Sequence, residues 1–306
     1  MIKTISVDYN LSENIIIKIK GEEIVSESNE IQEIKIVDTK EFGKVLLIGE
    51  KDGLNVQFSE KDEAFYHEAI VHPAMSLCTD PKKVLIIGGG DGVVAREVLK
   101  YQIEKLIMVE IDNKVIELCK KYLPIHQGAF DDSRMEIIIA DGKKFIEQNK
   151  DKEDGDKYDL IILDLTDPSG PSKMLFTKEF YQDVKKNLNE NGVLSIQTSS
   201  TFFDAVVLGR VYAALKEVFT NVIPYSNIIP SFFVEESYCL ATDGKIKPIA
   251  LVIEERKVKL NVYTPQLLDS LINYRSISIN KILEKKWKPS TAADPVECYK
   301  EETLIW

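Results

Sequence analysis

Between Val84 and Glu110 the chain reads VLIIGGGDGVVAREVLKYQIEKLIMVE, and few folds accommodate such a stretch. Val84 to Ile87 form a short apolar run with the β-branched content of a strand buried on both faces. Gly88, Gly89 and Gly90 follow, then Asp91 and Gly92, and then a helical segment with Val94, Val98 and Leu99 on one face. A second apolar run, Leu106 to Val109, ends in Glu110. Strand, glycine turn, helix and strand in this order open a nucleotide-binding α/β sheet. Glycines let a ligand lie against bare backbone, and a carboxylate at the tip of the next strand can grip the two hydroxyls of a ribose.

The match to the dinucleotide fingerprint is partial. Gly88 and Gly90 occupy its first two positions, but Val93 stands where a third glycine or alanine is expected. Asp91 adds negative charge where a pyrophosphate would meet repulsion. A cationic ligand suits the turn better, and S-adenosyl compounds carry both a sulfonium and an ammonium.

With 306 residues the chain has room for one large unit and a small one. The expected boundary separates a β-rich segment, 1–60, from a catalytic segment, 61–306. A formal net charge of −11 argues against nucleic acid or an anionic membrane as partner. No apolar run reaches the roughly 20 residues of a membrane span, and the opening MIKTISVDYN lacks the apolar core of a signal peptide, so a cytoplasmic enzyme is expected. Cys78, Cys119, Cys239 and Cys298 are scattered without CxxC spacing and read as buried thiols. His67, His72 and His126 make no metal-site pattern, and none is expected.

The first 60 residues carry β-branched runs punctuated by Gly21, Gly43 and Gly49, and predict a small antiparallel sheet that leans on the main unit or on another subunit. Gln32 falls in this region. Phe58 to Met75 predicts a helix entered at Ser59 and discouraged beyond Pro73, with Tyr66 divided between core and site. MEIIIADG predicts a strand stopping at Asp141-Gly142, where an acidic side chain can cap the next helix or accept an amine from a ligand. Lys150 to Lys157 reads as a charged surface loop.

YDLIILDLTDPSGP is the most informative segment. Its strand runs into Asp164 and Asp167, two carboxylates three residues apart at the edge that also holds the glycine turn. Pro168, Gly170 and Pro171 predict a loop after them, able to act as a lid. Methyl transfer needs no such pair; transfer to an aliphatic amine does. An alkylamine of pKa near ~10 is protonated at neutral pH and has no lone pair until a base removes a proton. One carboxylate can take that proton while the other holds the amine in line. A final antiparallel hairpin, NVIPYSNI with SYCLATD, completes a seven-stranded sheet; in the tail from Lys247 only a helix at Pro265 to Ile272 is expected, with no role.

Several motifs in order resemble the polyamine aminopropyltransferases, the spermidine synthase family, over roughly residues 30 to 245. They are Gln32 before IKIVDTKEFGKVLLI, the YHE at Tyr66 to Glu68, GGGDG at Gly88 to Gly92, EID at Glu110 to Asp112, DG at Asp141-Gly142, and DLTDPSGP from Asp164. The resemblance implies a Rossmann-like α/β fold of the class I methyltransferase type, a seven-stranded sheet with a small N-terminal antiparallel β unit. It implies transfer of an aminopropyl group from decarboxylated S-adenosylmethionine, as co-substrate with no separate cofactor, to a polyamine amine, in a homodimer or homotetramer. Asp164 would then be the base, with Tyr66 and Asp167 positioning the acceptor. Asp91 and Asp164 would hold the donor ammonium, Gly88 and Gly90 its backbone cradle, Glu110 the ribose, Asp141 and Gly142 the adenine, and Gln32 and His67 the N-terminal side.

The sequence departs from that pattern around the acceptor. LIGEKDGLNVQ carries extra residues around Glu50 to Gly53, and IPSFFVEESYCLATD puts Phe232 where the family typically has a tyrosine that helps bind putrescine. Glu235 and Glu236 fall near the usual Trp-Gly or Ile-Gly pair, and Glu235 is assigned here to the acceptor. Putrescine to spermidine is the default outcome; a thermospermine or spermine synthase using spermidine is the alternative. A methyltransferase is a third reading, and a nucleotide- or polyamine-binding regulator with a dead site a fourth.

Overall fold

The computed structural model describes residues 4–12, 15–50, 53–150 and 157–298. Most of the charged loop expected at 150–157, and two residues of the insertion expected at 50–53, lie outside the described residues. The N-terminal strands β1 (Thr4–Ser12), β2 (Ile15–Ser28), β3 (Glu33–Thr39), β4 (Gly43–Glu50) and β5 (Gly53–Ser59) form an antiparallel meander in sequence order. One face, with Ile34, Ile36, Leu46 and Phe58, packs on Val93, Val115, Leu118 and Cys119. Val93 therefore explains the missing third glycine of the turn: its side chain fills the seam between the two sheets.

The helix α1 (Glu63–Leu77) leads into alternating strands and helices: β6 (Lys83–Gly88), α2 (Val93–Leu99), β7 (Lys105–Glu110), α3 (Asn113–Tyr122), β8 (Met135–Ile139), α4 (Gly142–Asn149), β9 (Tyr158–Asp164), α5 (Lys178–Asn187) and β10 (Leu188–Ser200). After α6 (Ala205–Lys216), β11 (Asn221–Ile229) and β12 (Val234–Thr242) close the sheet in the order β11-β12-β10-β9-β6-β7-β8. Neighbours from β8 to β10 are parallel, and β12 is antiparallel to both β10 and β11. This is the seven-stranded α/β sheet with an N-terminal antiparallel sheet that the sequence implied.

Continuous apolar strands are needed because helices cover both faces. Val84 and Ile86 join Leu160, Ile162, Leu106 and Met108 in one core, while Leu85, Ile87, Ile161, Leu163 and Val109 join the other. The tail does more than one helix's work. It forms α7 (Ile249–Glu255), α8 (Pro265–Asn273) and α9 (Ile277–Glu284), whose Ile253, Leu268 and Ile272 enter the first core and Ile279 and Ile282 the second. Among the described residues no helix is long and apolar enough to cross a membrane, and the four cysteines are free and buried.

Two helix expectations are corrected. Position 62, not Ser59, is the N-cap of α1; the Ser59 hydroxyl donates to the Phe42 carbonyl, and Asp62 accepts from the Ser231 backbone N–H and hydroxyl at 2.6 and 2.9 Å. Pro73 lies inside α1 rather than ending it. A proline frees the carbonyl four residues earlier, here Ala69, and the Tyr225 hydroxyl donates to it at 2.8 Å. The segment after Asp167 is also not loop throughout: Gly170–Phe176 is a 3-10 helix held by reciprocal bonds of Ser169 and Ser172.

Candidate active site

The C-terminal ends of β6, β7 and β9 meet at the glycine turn. Gly88 and Gly89 have φ of 86° and 74°, a backbone region that side chains rarely adopt. A Cβ on Gly88 would stand 2.0 Å from the Asp164 carbonyl oxygen, and Gly89 N–H donates to that oxygen at 3.2 Å. A Cβ on Gly90 would stand 3.0 Å from a Glu110 carboxylate oxygen and 2.8 Å from Val115. The turn is thus pressed between the Glu110 carboxylate and the backbone of Asp164, whose carboxylate oxygen would lie 3.4 Å from a Cβ on Gly89. At the next strand tip Asp141 caps α4, accepting from Lys144 N–H at 3.1 Å, and Gly142 leaves the space that Ile87 occupies.

Asp164 ends β9 with its side chain on the α1 face, where the Tyr66 hydroxyl donates to it at 2.7 Å. Burial, then the charge of Asp91, raises its pKa from 3.8 to about 6, against the opposing effects of His67 and the Tyr66 bond. Glu110 is raised to about 7, mainly by burial, although the backbone N–H of Asp112 donates to it at 2.9 Å. Both groups sit where ionisation is costly until a cation or a hydroxyl donor arrives.

Asp91 and His67 form a different kind of pair. His67 is 2% exposed, yet Asp91 and Glu63 outweigh that burial and lift its pKa from 6.5 to about 10. Its Nδ1 lies 2.7 Å from the Glu63 carbonyl and 3.0 Å from the Glu63 carboxylate, and its Nε2 3.6 Å from Asp91. Asp91 is lowered despite its burial, and it also accepts from Val93 N–H at 2.7 Å. His67 is thus a fixed cation that keeps Asp91 ionised, with both ring nitrogens facing protein partners.

Gln32, half-buried just before β3, donates to the Asp112 carboxylate at 3.0 Å; Asn29 donates to the same group. Asp112 was visible only as the last letter of EID, and it ties the N-terminal sheet to the β7 tip. Glu68, Glu97 and His72 converge within 4.8 Å. Their atoms already serve one another and the chain: His72 bridges Tyr101 and Glu97, Arg96 and Lys100 hold Glu97, and Glu68 accepts from the backbone of Asn261 to Tyr263. The last contact fastens the tail to α1.

On the acceptor side the Phe232 ring lies 6.0 Å from the Tyr66 ring. Glu235 does not join them. It lies on the opposite face of β12, accepting from the Thr201 hydroxyl and from Ser226 at 2.7 Å, which lowers its pKa in spite of burial. Strand alternation explains the reversal: neighbours on β12 point to opposite faces, so Glu236 is the one turned to the Asp167 side, where burial and then Asp167 raise its pKa well above 4.5. The double-Glu signal was in the sequence, but the residue facing the crevice was the second.

Residues 63–245 match the family model of the spermine/spermidine synthase domain. The chain is 40% identical to a polyamine aminopropyltransferase of Saccharolobus solfataricus over 89% of its own length and 91% of that protein. It is 47% identical to one of Saccharolobus islandicus over 67% of each. A spermidine synthase solved with the transition-state analogue AdoDATO superposes with a TM-score of 0.83 at 33% identity, over 92% of this chain and 95% of that one. The spermidine synthase of Thermotoga maritima gives 0.79 at 32%, over 92% and 94%. A sheet of this topology, an acidic crevice on its glycine turn and matches of this extent place the chain in the spermine/spermidine synthase family, the polyamine aminopropyltransferases.

Proposed function

We propose that this aminopropyltransferase uses decarboxylated S-adenosylmethionine as donor and putrescine as its default acceptor, giving spermidine and methylthioadenosine. The observation that carries the reading is Asp164: a half-buried carboxylate with its pKa at about 6, held by Tyr66 and abutting the glycine turn. Gly88, Gly90, Glu110, Asp141 and Gly142 suit the adenosine part, and Asp91, kept ionised by His67, suits an ammonium. A donor retaining its carboxylate would bring a like charge to Asp91 and Asp164.

In the reaction the acceptor amine loses a proton to Asp164, its nitrogen bonds to the aminopropyl carbon, and the carbon–sulfur bond breaks. The electron pair of that bond goes to sulfur, which leaves as a neutral thioether, so the chemistry calls for no metal or prosthetic group. Asp167 and Tyr66 hold the amine in line. A methyltransferase reading leaves this base without a task. The same reading carries a cytoplasmic homodimer or homotetramer, for which Ile15 and Ile16, 43% and 60% exposed on β2, offer apolar surface.

Incubation with the donor and, in turn, putrescine, cadaverine, agmatine and spermidine tests the assignment, with methylthioadenosine and the polyamine products as readouts. Product from putrescine above the others supports the default, and spermidine as the best acceptor transfers the assignment to a thermospermine or spermine synthase. No methylthioadenosine with any amine overturns it. The pH profile is a separate check. Asp164 must be ionised to accept a proton, so turnover is expected to fall as pH drops through about 6.

A further inference from the structure

Residues 290–298 follow α9 and have so far no role. Pro289 and Pro295 keep the stretch out of a helix, and Thr291 and Asp294 close a short bridged turn within it. The scaffold holds that turn firmly. Ser290 N–H donates to the Arg210 carbonyl of α6 at 3.2 Å, and the Ser290 carbonyl accepts from Lys178 N–H of α5 at 2.8 Å. The Arg210 guanidinium donates to both the carbonyl and the carboxylate of Asp294 at 2.7 Å. Val296 then enters the second core, fully buried, with its N–H on the Ser290 hydroxyl at 3.0 Å.

The next two residues reach past the scaffold to the segment that follows Asp167. Cys298 N–H donates at 2.9 Å to the carbonyl of Pro168, the residue after Asp167. The Glu297 carboxylate pairs at 3.3 Å with Lys173, in the 3-10 helix Gly170–Phe176, and both side chains are half-buried. Burial and then the charge of Asp167 push the Cys298 thiol well above its usual range, so the end of the tail lies beside that carboxylate. Ser169 and Ser172 meanwhile bond to each other, and the Ser172 hydroxyl also reaches the Asp167 carbonyl at 3.0 Å. Residues 167–173 are thus one block, which the tail grips at two points. Two points fix the orientation of a block that a single bond would leave free to swivel.

We propose that residues 290–298 are a strap that holds this block at the edge of the crevice, with Glu297 and the Cys298 backbone N–H as positioning groups for Asp167. Resting on the aminopropyl-transfer reading above, this gives the tail a share in acceptor binding: Asp167 meets the amine in line only while the block is strapped down. Glu297 and Cys298 touch neither substrate nor proton on this view.

Charge reversal in the full-length chain tests the strap, with putrescine or spermidine as acceptor, whichever the wild type alkylates faster. Glu297→Lys and Lys173→Glu are each expected to raise KM for the acceptor about five-fold with kcat within about two-fold, and the double variant to return KM to within about two-fold of wild type. A field effect on a cationic acceptor would move the two single variants in opposite directions, since one adds positive charge and the other negative. That result overturns the strap, and so does a KM unchanged in either single variant. Trypsin gives a readout free of turnover: cleavage after Lys173 should be about five-fold faster in Glu297→Gln than in wild type, with Tm within about 2 °C. Equal cleavage rates overturn the proposal, as does faster cleavage matched by a lower Tm, which marks a general loosening of the fold. If the wild type alkylates no amine at all, the activity reading fails, while the cleavage rates still decide the strap.

Discussion

Asp164→Asn is expected to lower kcat by about 10²-fold or more, the scale of a lost general base, while the protein stays folded. Asparagine has nearly the same shape, and its amide oxygen can still accept the Tyr66 hydroxyl that Asp164 accepts at 2.7 Å. What disappears is the site for the proton. The folded chain holds the Asp164 proton more tightly than the unfolded chain does, at about 6 against 3.8. Ionising Asp164 therefore costs stability above about pH 6, a cost that fades as pH falls toward 3.8. The variant should then melt no lower than wild type at pH 7.5, and the acid limb of its residual rate near pH 6 should be gone. Steady-state rates from pH 5 to 9, with melting curves at the two ends, measure both. Normal turnover by the variant would remove Asp164 from its role.

The frame of the site was legible because its residues sit at strand ends, where sequence order and spatial order coincide. β6, β7, β8 and β9 each announce themselves as short apolar runs, and the residue after each run faces the ligand edge. Gly88, Glu110, Asp141 and Asp164 follow from that rule alone. Side chains inside elements were harder. Reading Glu235 instead of Glu236 needs only a one-residue error in strand phase, and a bulge on β10 between Gln197 and Ser200 sits opposite that part of β12. Pro73 looked like a helix end because the hydroxyl that satisfies Ala69 comes from Tyr225, some 150 residues away in the chain. The tail had no legible role for the same reason: its anchor is the Glu68 carboxylate on α1, reached only after the chain has folded back.

Arg96→Met should show the opposite pattern, with stability lost and chemistry retained. Arg96 is 7% exposed and lies between α1 and α2, where it donates to both Glu63 oxygens at 3.0 Å, to Glu97 at 2.8 Å and to the Ile125 carbonyl at 3.0 Å. Methionine fills most of the volume and leaves two buried carboxylates short of a partner. Breaking a buried pair from one side costs roughly 3–5 kcal/mol. Glu63 keeps His67, and Glu97 keeps His72 and Lys100, so about 3 kcal/mol is the expected loss here, or some 6 °C in Tm. The pH dependence identifies the cause. Glu97 is held at about 2 against 4.5 when free, so its contribution is present above pH 4.5 and is lost as pH falls toward 2. The gap between wild type and variant should therefore be widest at neutral pH and should narrow below pH 4.5; urea titrations at pH 7 and pH 4 read it. A constant gap would mean that packing rather than charge is at stake. Carboxylates around α1 thus divide by surroundings: Glu63 and Glu97, held by Arg96 and the histidines, fasten the fold, whereas Asp164, beside the charge of Asp91, ionises at a cost.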